Sequence, residues 1–218
     1  MKIKDSKQTI EKILTVSATL FSEKGFDKTS IQDIVDSIGM SRGAIFHHFK
    51  SKEDILDAVI ERHLNYTYEM LEQLANSVDS VNSRDKLIKI LEILISDKNI
   101  HTIDSVLNVQ IKNPQFVIQR IKKGVTKEAL IFKEIIEQGI ADGSIETEYP
   151  NECAEVFMFL INIWTNPVLF NRKKTETIRR LIFMQYMMRQ LGVDIVSDKL
   201  IESLMENYPN VEDGDIDE

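Results

Sequence analysis

The side chains best suited to recognition chemistry crowd together at Ser41, Arg42, Gly43, Ala44, His47, His48, Lys50 and Lys52. Their types suit DNA better than catalysis. Arg42 offers a planar fork of N–H donors that can hold a guanine edge in the major groove. Gly43 and Ala44 are small, so a helix carrying them can come close to base edges, and the Ala44 methyl can meet a thymine methyl. Ser41 can cap that helix, and the exposed amides at its start can meet a phosphate. Lys50 and Lys52 follow just past it, where phosphates would run. The adjacent pair His47 and His48 would diverge by about 100° on a helix, a poor arrangement for a metal, and no metal or other cofactor is expected.

These side chains need a scaffold, and the flanking sequence provides one. Ile31, Ile34, Val35 and Ile38 repeat at helical spacing behind Ser30, an N-cap type, and Gly39 breaks the pattern after two turns. Ser41 then opens a second short helix, read as Ser41 to His48, with Ile45, Phe46 and Phe49 as its apolar stripe and Phe46 as core. Two short amphipathic helices joined through one glycine make a helix-turn-helix elbow; a plain helical hairpin with a solvated polar face is the competing reading. Before the elbow, Ile10, Ile13, Leu14, Ala18 and Phe21 share one face of a helix over 7–24 that Gly25 ends. After it, Ser51 caps a helix of some 25 residues, with Asp54 answering in a capping box.

The chain has 218 residues and a net charge of −8, which at first sight disfavours a DNA partner. The distribution reverses that impression. Residues 1–52 hold nine Lys/Arg against six Asp/Glu, a net +3 that leaves −11 for the rest. A basic head on an acidic body attracts phosphate at one end only. Eight Gly and four Pro are few for a chain this long and favour helices over turn-rich sheet. No apolar run is long enough to cross a bilayer, the N-terminus is charged, and the single Cys153 fits a reducing compartment, so a cytoplasmic protein is expected. Cys153 itself reads as a small buried hydrophobe, with a redox sensor as the alternative.

The stretch TSIQDIVDSIGMSRGAIFHHFKSKEDIL resembles the N-terminal signature of the tetracycline-repressor (TetR) family of transcriptional regulators, and TVSATLFSEKGFDKTS resembles that family's first helix and turn. The likeness covers about residues 7–60. It implies that Thr29 and Ser30 meet phosphate at the start of the bracing helix and that Arg42, Gly43 and Ala44 face bases. It also places His48, Lys50 and Lys52 near phosphates. His47 stands where the family often has Tyr at a backbone-contacting position.

The rest of the chain reads as helices, and the expected fold is all-α: a three-helix head over 1–52, a helical effector-binding and dimerisation body over 53–208, and an acidic tail over 209–218. That tail is either a solvated terminus or an interaction segment. Helices are expected from Ser83, with Leu87, Ile88, Leu91, Leu94 and Ile95 on the inner side, near 101–111, from Asn113-Pro114 to a break near Gly124, and from Thr126 to Ala141. Others are expected from Tyr149-Pro150 to Trp164, where Asn166-Pro167 stops the helix, from Thr175 to Leu191, and over 197–207. The helices at 150–164 and 175–191 carry apolar residues on nearly all sides, so each must be covered all round. Pairing with a second copy achieves this, with Leu160, Ile161, Leu181, Met184 and Met188 at the interface; a buried monomeric hairpin is the alternative. The resemblance agrees, since the family pairs through two late helices, and two heads would then read a near-palindromic operator.

The resemblance also implies a pocket for a small hydrophobic or amphipathic effector. Tyr66, Met70, Phe116, Phe132, Phe157, Met158 and Trp164 are its candidate lining, and ordinary core packing accounts for the same residue types. A regulator without a small-molecule effector, controlled by a protein partner or its own level, is the alternative function. No Gly-rich phosphate loop, metal-spaced Cys/His set or nucleophile elbow supports an enzyme.

Overall fold

The structure is a computed structural model that describes residues 2–208, with side chains from residue 6. The acidic tail expected over 209–218 lies outside the described residues. Within them the fold is all-helical and contains no strand. Among the described residues no helix is long and apolar enough to cross a membrane.

The chain divides into two compact units, one of Met1–Thr67 with Lys98–Val109 and the other of Tyr68–Asp97 with Gln110–Glu218. The division therefore falls inside the long helix that begins after Ser51, and not at its start.

The first unit holds α1 (Lys2–Lys24), α2 (Ile31–Ile38), α3 (Arg42–Phe46), the first part of α4 (Lys52–Ser77) and most of α6 (Asp104–Gln110). Its core gathers the apolar faces read from the sequence: Ile13, Leu14 and Phe21 of α1, Ile34, Val35 and Ile38 of α2, Ile45 of α3, and Ile55, Leu56 and Val59 of α4. Gly39 adopts φ 72°, the left-handed conformation that lets α2 stop and the chain turn toward α3. Ser41 caps α3 through the Ala44 amide, at 3.2 Å. Ser51 accepts from the Asp54 amide at 3.0 Å. The Asp54 carboxylate reaches back to the Lys50 amide at 2.9 Å, one residue earlier than a capping box predicts.

The second unit packs α5 (Ser83–Ser96), α7 (Pro114–Lys123), α8 (Ala129–Asp142), α9 (Pro150–Phe159), α10 (Pro167–Phe170), α11 (Lys174–Gln190) and α12 (Asp198–Glu206). Its core runs from α5 through α8 and α9 to α11 and α12, with Leu87, Ile90, Phe132, Ile136, Phe157, Leu181, Met184 and Met188 wholly or almost wholly buried. Two expected helix ends take other forms. The break foreseen near Gly124 is a π-helical stretch, Gly124–Glu128, that carries α7 on into α8. A second π-helical stretch, Leu160–Trp164, extends α9. Asn166-Pro167 does halt that helix, but Asn166 also caps the short α10 through the Leu169 amide. Gly192 closes α11 at φ 78°, where any Cβ would stand 1.7 Å from the Glu146 carbonyl oxygen. Only glycine fits there.

One buried group in the first unit lacks a counterpart. Ser17 of α1 is fully buried, and its hydroxyl finds no hydrogen-bond partner among the described residues. A desolvated, unpaired hydroxyl costs about 1–3 kcal/mol. Ser17→Ala should therefore raise the stability of the head by about 1 kcal/mol, read as a higher urea midpoint at unchanged slope. A fall in the midpoint would show that the hydroxyl is bonded after all.

Candidate nucleic-acid interface

The elbow places Ile45 inward and most of its chemistry outward. Ile45 is the one buried residue of α3 and is completely enclosed. Its neighbours Arg42, Gly43, Phe46 and His47 are exposed, and Ala44 and His48 are half-buried. Arg42 forms no hydrogen bond or ion pair among the described residues, so its fork is open to a partner. Lys50 is likewise exposed and makes no ion pair among the described residues.

The recognition helix is shorter than expected. It spans Arg42–Phe46, with His47 as C-cap and His48 in the turn beyond. The two imidazoles meet edge to face with ring centroids 5.1 Å apart. His47 keeps a right-handed helical backbone as the C-cap, and His48 follows it in the turn.

Three side chains stand differently from their sequence reading. Phe46, expected in the core, is 40% exposed and lies beneath the Arg42 guanidinium, whose carbon sits 5.4 Å from the ring centroid. The four-residue spacing of Arg42 and Phe46 carried that signal, because positions i and i+4 are neighbours on a helix. Thr29, expected to meet phosphate, is 1% exposed. Its hydroxyl serves the chain itself, with the Gly25 and Leu20 carbonyl oxygens at 2.8 and 3.2 Å, and so ties down the end of α1. Lys52, also expected at phosphate, turns inward. Its ammonium donates to the carbonyl oxygens of Phe26 at 2.7 Å and Thr29 at 2.9 Å, and rests 4.1 Å from the Phe26 ring centroid. Those contacts leave one of its three N–H donors.

At the start of α2, Ser30 and Asp33 close a capping box. The Ser30 hydroxyl and amide both donate to the Asp33 carboxylate, at 2.5 and 2.8 Å, and Lys24 donates to its other oxygen at 3.1 Å. Ser30, then Lys24, hold this carboxyl below the usual carboxylate range. An anion arriving at this helix start must share the site with an ionised carboxylate. Lys12 was not singled out from the sequence. It donates to the Ile38 carbonyl oxygen at 3.1 Å and so complements the C-terminal end of α2.

The body residues were also redistributed. Leu181, Met184 and Met188, expected at a dimer interface, are at most 2% exposed and belong to the protomer's own core. Leu160 and Ile161 are half-buried against that core. The open side of α11 carries Ile182, Phe183 and Tyr186 instead. Among the effector candidates, Phe132 and Phe157 pack ring against ring at 5.3 Å, and Met158 is buried with them. Tyr66 is exposed and belongs to the other unit. Met70, Phe116 and Trp164 are half-buried. Phe132, Phe157 and Met158 thus belong to the packed core of the second unit. An open cleft of about 470 Å³ in the second unit is lined by other side chains, Val78, Lys89, Glu92 and Lys199 among them.

A short outward helix bearing a free guanidinium on a compact three-helix base defines a helix-turn-helix DNA-binding protein. Comparison with known proteins narrows the class. Residues 13–59 match the model of bacterial regulatory proteins of the tetR family. The HTH-type transcriptional repressor KstR2 of Rhodococcus jostii is 28% identical over 153 residues, covering 68% of this chain and 72% of its own. KstR2 of Mycolicibacterium smegmatis is 25% identical over 146 residues, covering 63% and 68%. The crystal structure of a TetR/AcrR-family transcriptional regulator from Thermobifida fusca shares the fold with a TM-score of 0.58, at 22% identity, over 93% of this chain and 100% of its own. Residues 13–59 thus form a tetR-type DNA-binding region, and the chain is similar to DNA-binding transcriptional regulators of that family.

The two lysines beyond α3 should separate cleanly. Lys52→Ala should lower the melting temperature, because it removes two charge-assisted hydrogen bonds worth about 1–3 kcal/mol together. Lys50→Ala should leave the melting temperature unchanged and reduce the slope of log K against log salt by about one. The reverse pattern would reassign both. Asp33 supplies a pH dependence. Its carboxyl is held low in the folded state, so its contribution is present above the unfolded value near pH ~3.9 and is lost as pH falls through the lower folded one. Asp33→Asn should flatten the acid side of the stability profile; an unaltered profile would count against the capping box as its source.

Proposed function

We propose that the protein is a homodimeric repressor that a small hydrophobic or amphipathic effector releases from a near-palindromic operator. The observation that carries the reading is the open apolar stripe on α11. Ile182, Phe183 and Tyr186 are 50%, 55% and 60% exposed and follow one another along one side of the helix. Phe183 continues the surface to Trp164, ring centroids 6.0 Å apart, and α9 adds the exposed Val156 and Phe159. Large apolar side chains gathered in this way mark an interaction surface. A second copy of the same surface would cover it isologously and present two recognition helices together. The name repressor is carried by both KstR2 relatives.

The interior of the second unit supports control by a ligand. Glu128, 3% exposed, accepts two hydrogen bonds from Arg120, at 2.8 and 3.0 Å, and Arg120 also donates to the Asn162 side-chain oxygen at 2.7 Å. Glu128 and Asn162 stand on the two π-helical stretches. Buried charge contributes little net stability, and π-helical turns recur at functional positions. An effector that binds here must prefer the released state by ~10⁴-fold to move the balance from mostly bound to mostly free.

DNA contacts are assigned to Arg42, Gly43 and Ala44 at base edges, and to Ser30, Ser41, His47, His48 and Lys50 at the backbone. Ile182→Asp/Phe183→Asp should convert a dimer to a monomer in sedimentation and weaken binding to an operator selected from random duplexes by at least about 100-fold. A variant that remains dimeric would move the interface elsewhere. A thermal-shift screen of hydrophobic and cationic compounds should yield stabilisers that also lower operator affinity. Stabilisers that leave operator affinity unchanged would overturn release by effector.

A further inference from the structure

The α3 surface presents an arrangement that its sequence reading did not use. Arg42 has a long, rotamer-rich side chain, and a free chain of this kind loses much conformational entropy when it is fixed on a base. Here an aromatic neighbour restrains it, although its donors stay unpaired among the described residues. Its guanidinium lies over the exposed Phe46 ring, 5.4 Å from the centroid, within the range of a cation–π contact. No carboxylate pairs with it among the described residues, so nothing draws the fork away from the outward face. The ring contact consumes no hydrogen bond, and none of the guanidinium N–H donors is spent on another group among the described residues. Those donors form the fork that matches guanine O6 and N7.

The geometry that fixes this pair is local. Ile45 is fully buried. Phe46 follows by about 100° around the helix, and Arg42 sits one turn before it. Burial of Ile45 therefore turns both partners of the stack to the outside together.

We propose that Phe46 is a positioning residue for base readout: its ring holds the Arg42 guanidinium in the posture needed to grip a guanine edge, and so sets discrimination at one base pair of each half-site. The inference rests on the reading of Arg42 as a base-contacting residue.

The test uses the full-length protein and an operator fragment selected by it from random duplexes. Affinities are measured for that fragment and for its single base-pair variants. The proteins compared are wild type, Arg42→Ala, Phe46→Leu, Phe46→Tyr and Arg42→Ala/Phe46→Leu, each checked for an unchanged melting temperature. Phe46→Leu should reduce discrimination about 2- to 5-fold, the size of an exposed cation–π contact, at the same base pair where Arg42→Ala reduces it. Phe46→Tyr keeps a ring and should restore wild-type discrimination. In the Arg42→Ala background, Phe46→Leu should change nothing further. An equal loss in both backgrounds would show that Phe46 touches DNA itself and overturn the positioning role. Discrimination lost in Arg42→Ala but kept in Phe46→Leu would overturn it too, with base reading by Arg42 intact. Arg42→Ala without any position-specific loss would instead remove the base-reading assignment on which the inference rests.

Discussion

A helix of five residues has no stability of its own, because nucleation outweighs the few hydrogen bonds it can form. The recognition helix Arg42–Phe46 exists only because its surroundings impose it. Burial of Ile45 is the constraint on which the rest of the site depends. It anchors the helix in the head beside α2, and it sets the rotation that turns Arg42, Gly43 and Phe46 outward. The Ser41 cap and the left-handed Gly39 then fix where the helix begins. Around this anchor, Thr29, Lys12 and Lys52 spend their polar groups on backbone carbonyls, so the base of the elbow is held in part by Thr29 and Lys52, which their sequence pattern assigns to DNA.

The second unit solves a different problem. Its late helices carry more apolar residues than one face can bury. α11 sends Leu181, Met184 and Met188 into the protomer's core and leaves Ile182, Phe183 and Tyr186 on the other side. The surplus is a surface that a second copy can cover. Inside the same unit, two π-helical stretches bring Glu128 and Asn162 to either side of Arg120, where an unbroken α-helical register would set these side chains differently. Polar chemistry is thereby placed deep in an apolar body, with all of its shown groups satisfied.

Much of this was legible before the structure. The caps Ser30, Ser41 and Ser51, the stops Gly25, Gly39 and Asn166-Pro167, and the 3.6-residue spacing of the apolar positions place nearly every helix within a few residues. The signature around Arg42 to Lys52 led to the family. The two π-helical stretches were not legible, because one extra residue in a turn changes neither composition nor local propensity. Gly124 in particular read as a break, since glycine weakens helices, whereas here the chain continues through it as a π-helical turn.

The sequence by itself determined the helical punctuation, the elbow and the regulator class, since capping, periodicity and residue type are properties of a few neighbouring positions. Tertiary structure decided which copies of a chemically equivalent group are spent inside and which are free. Lys50 and Lys52 are two residues apart and identical in type, yet Lys52 is bound to the Phe26 and Thr29 carbonyls while Lys50 stands in solvent. Phe46 and Phe49 read alike, yet Phe46 supports an arginine at the surface. Leu181 and Ile182 are adjacent, yet one is core and the other open. In each case the deciding fact is which way the element is turned toward its neighbours. That orientation is set by the summed packing of residues far apart in the chain, and no short window of sequence contains it.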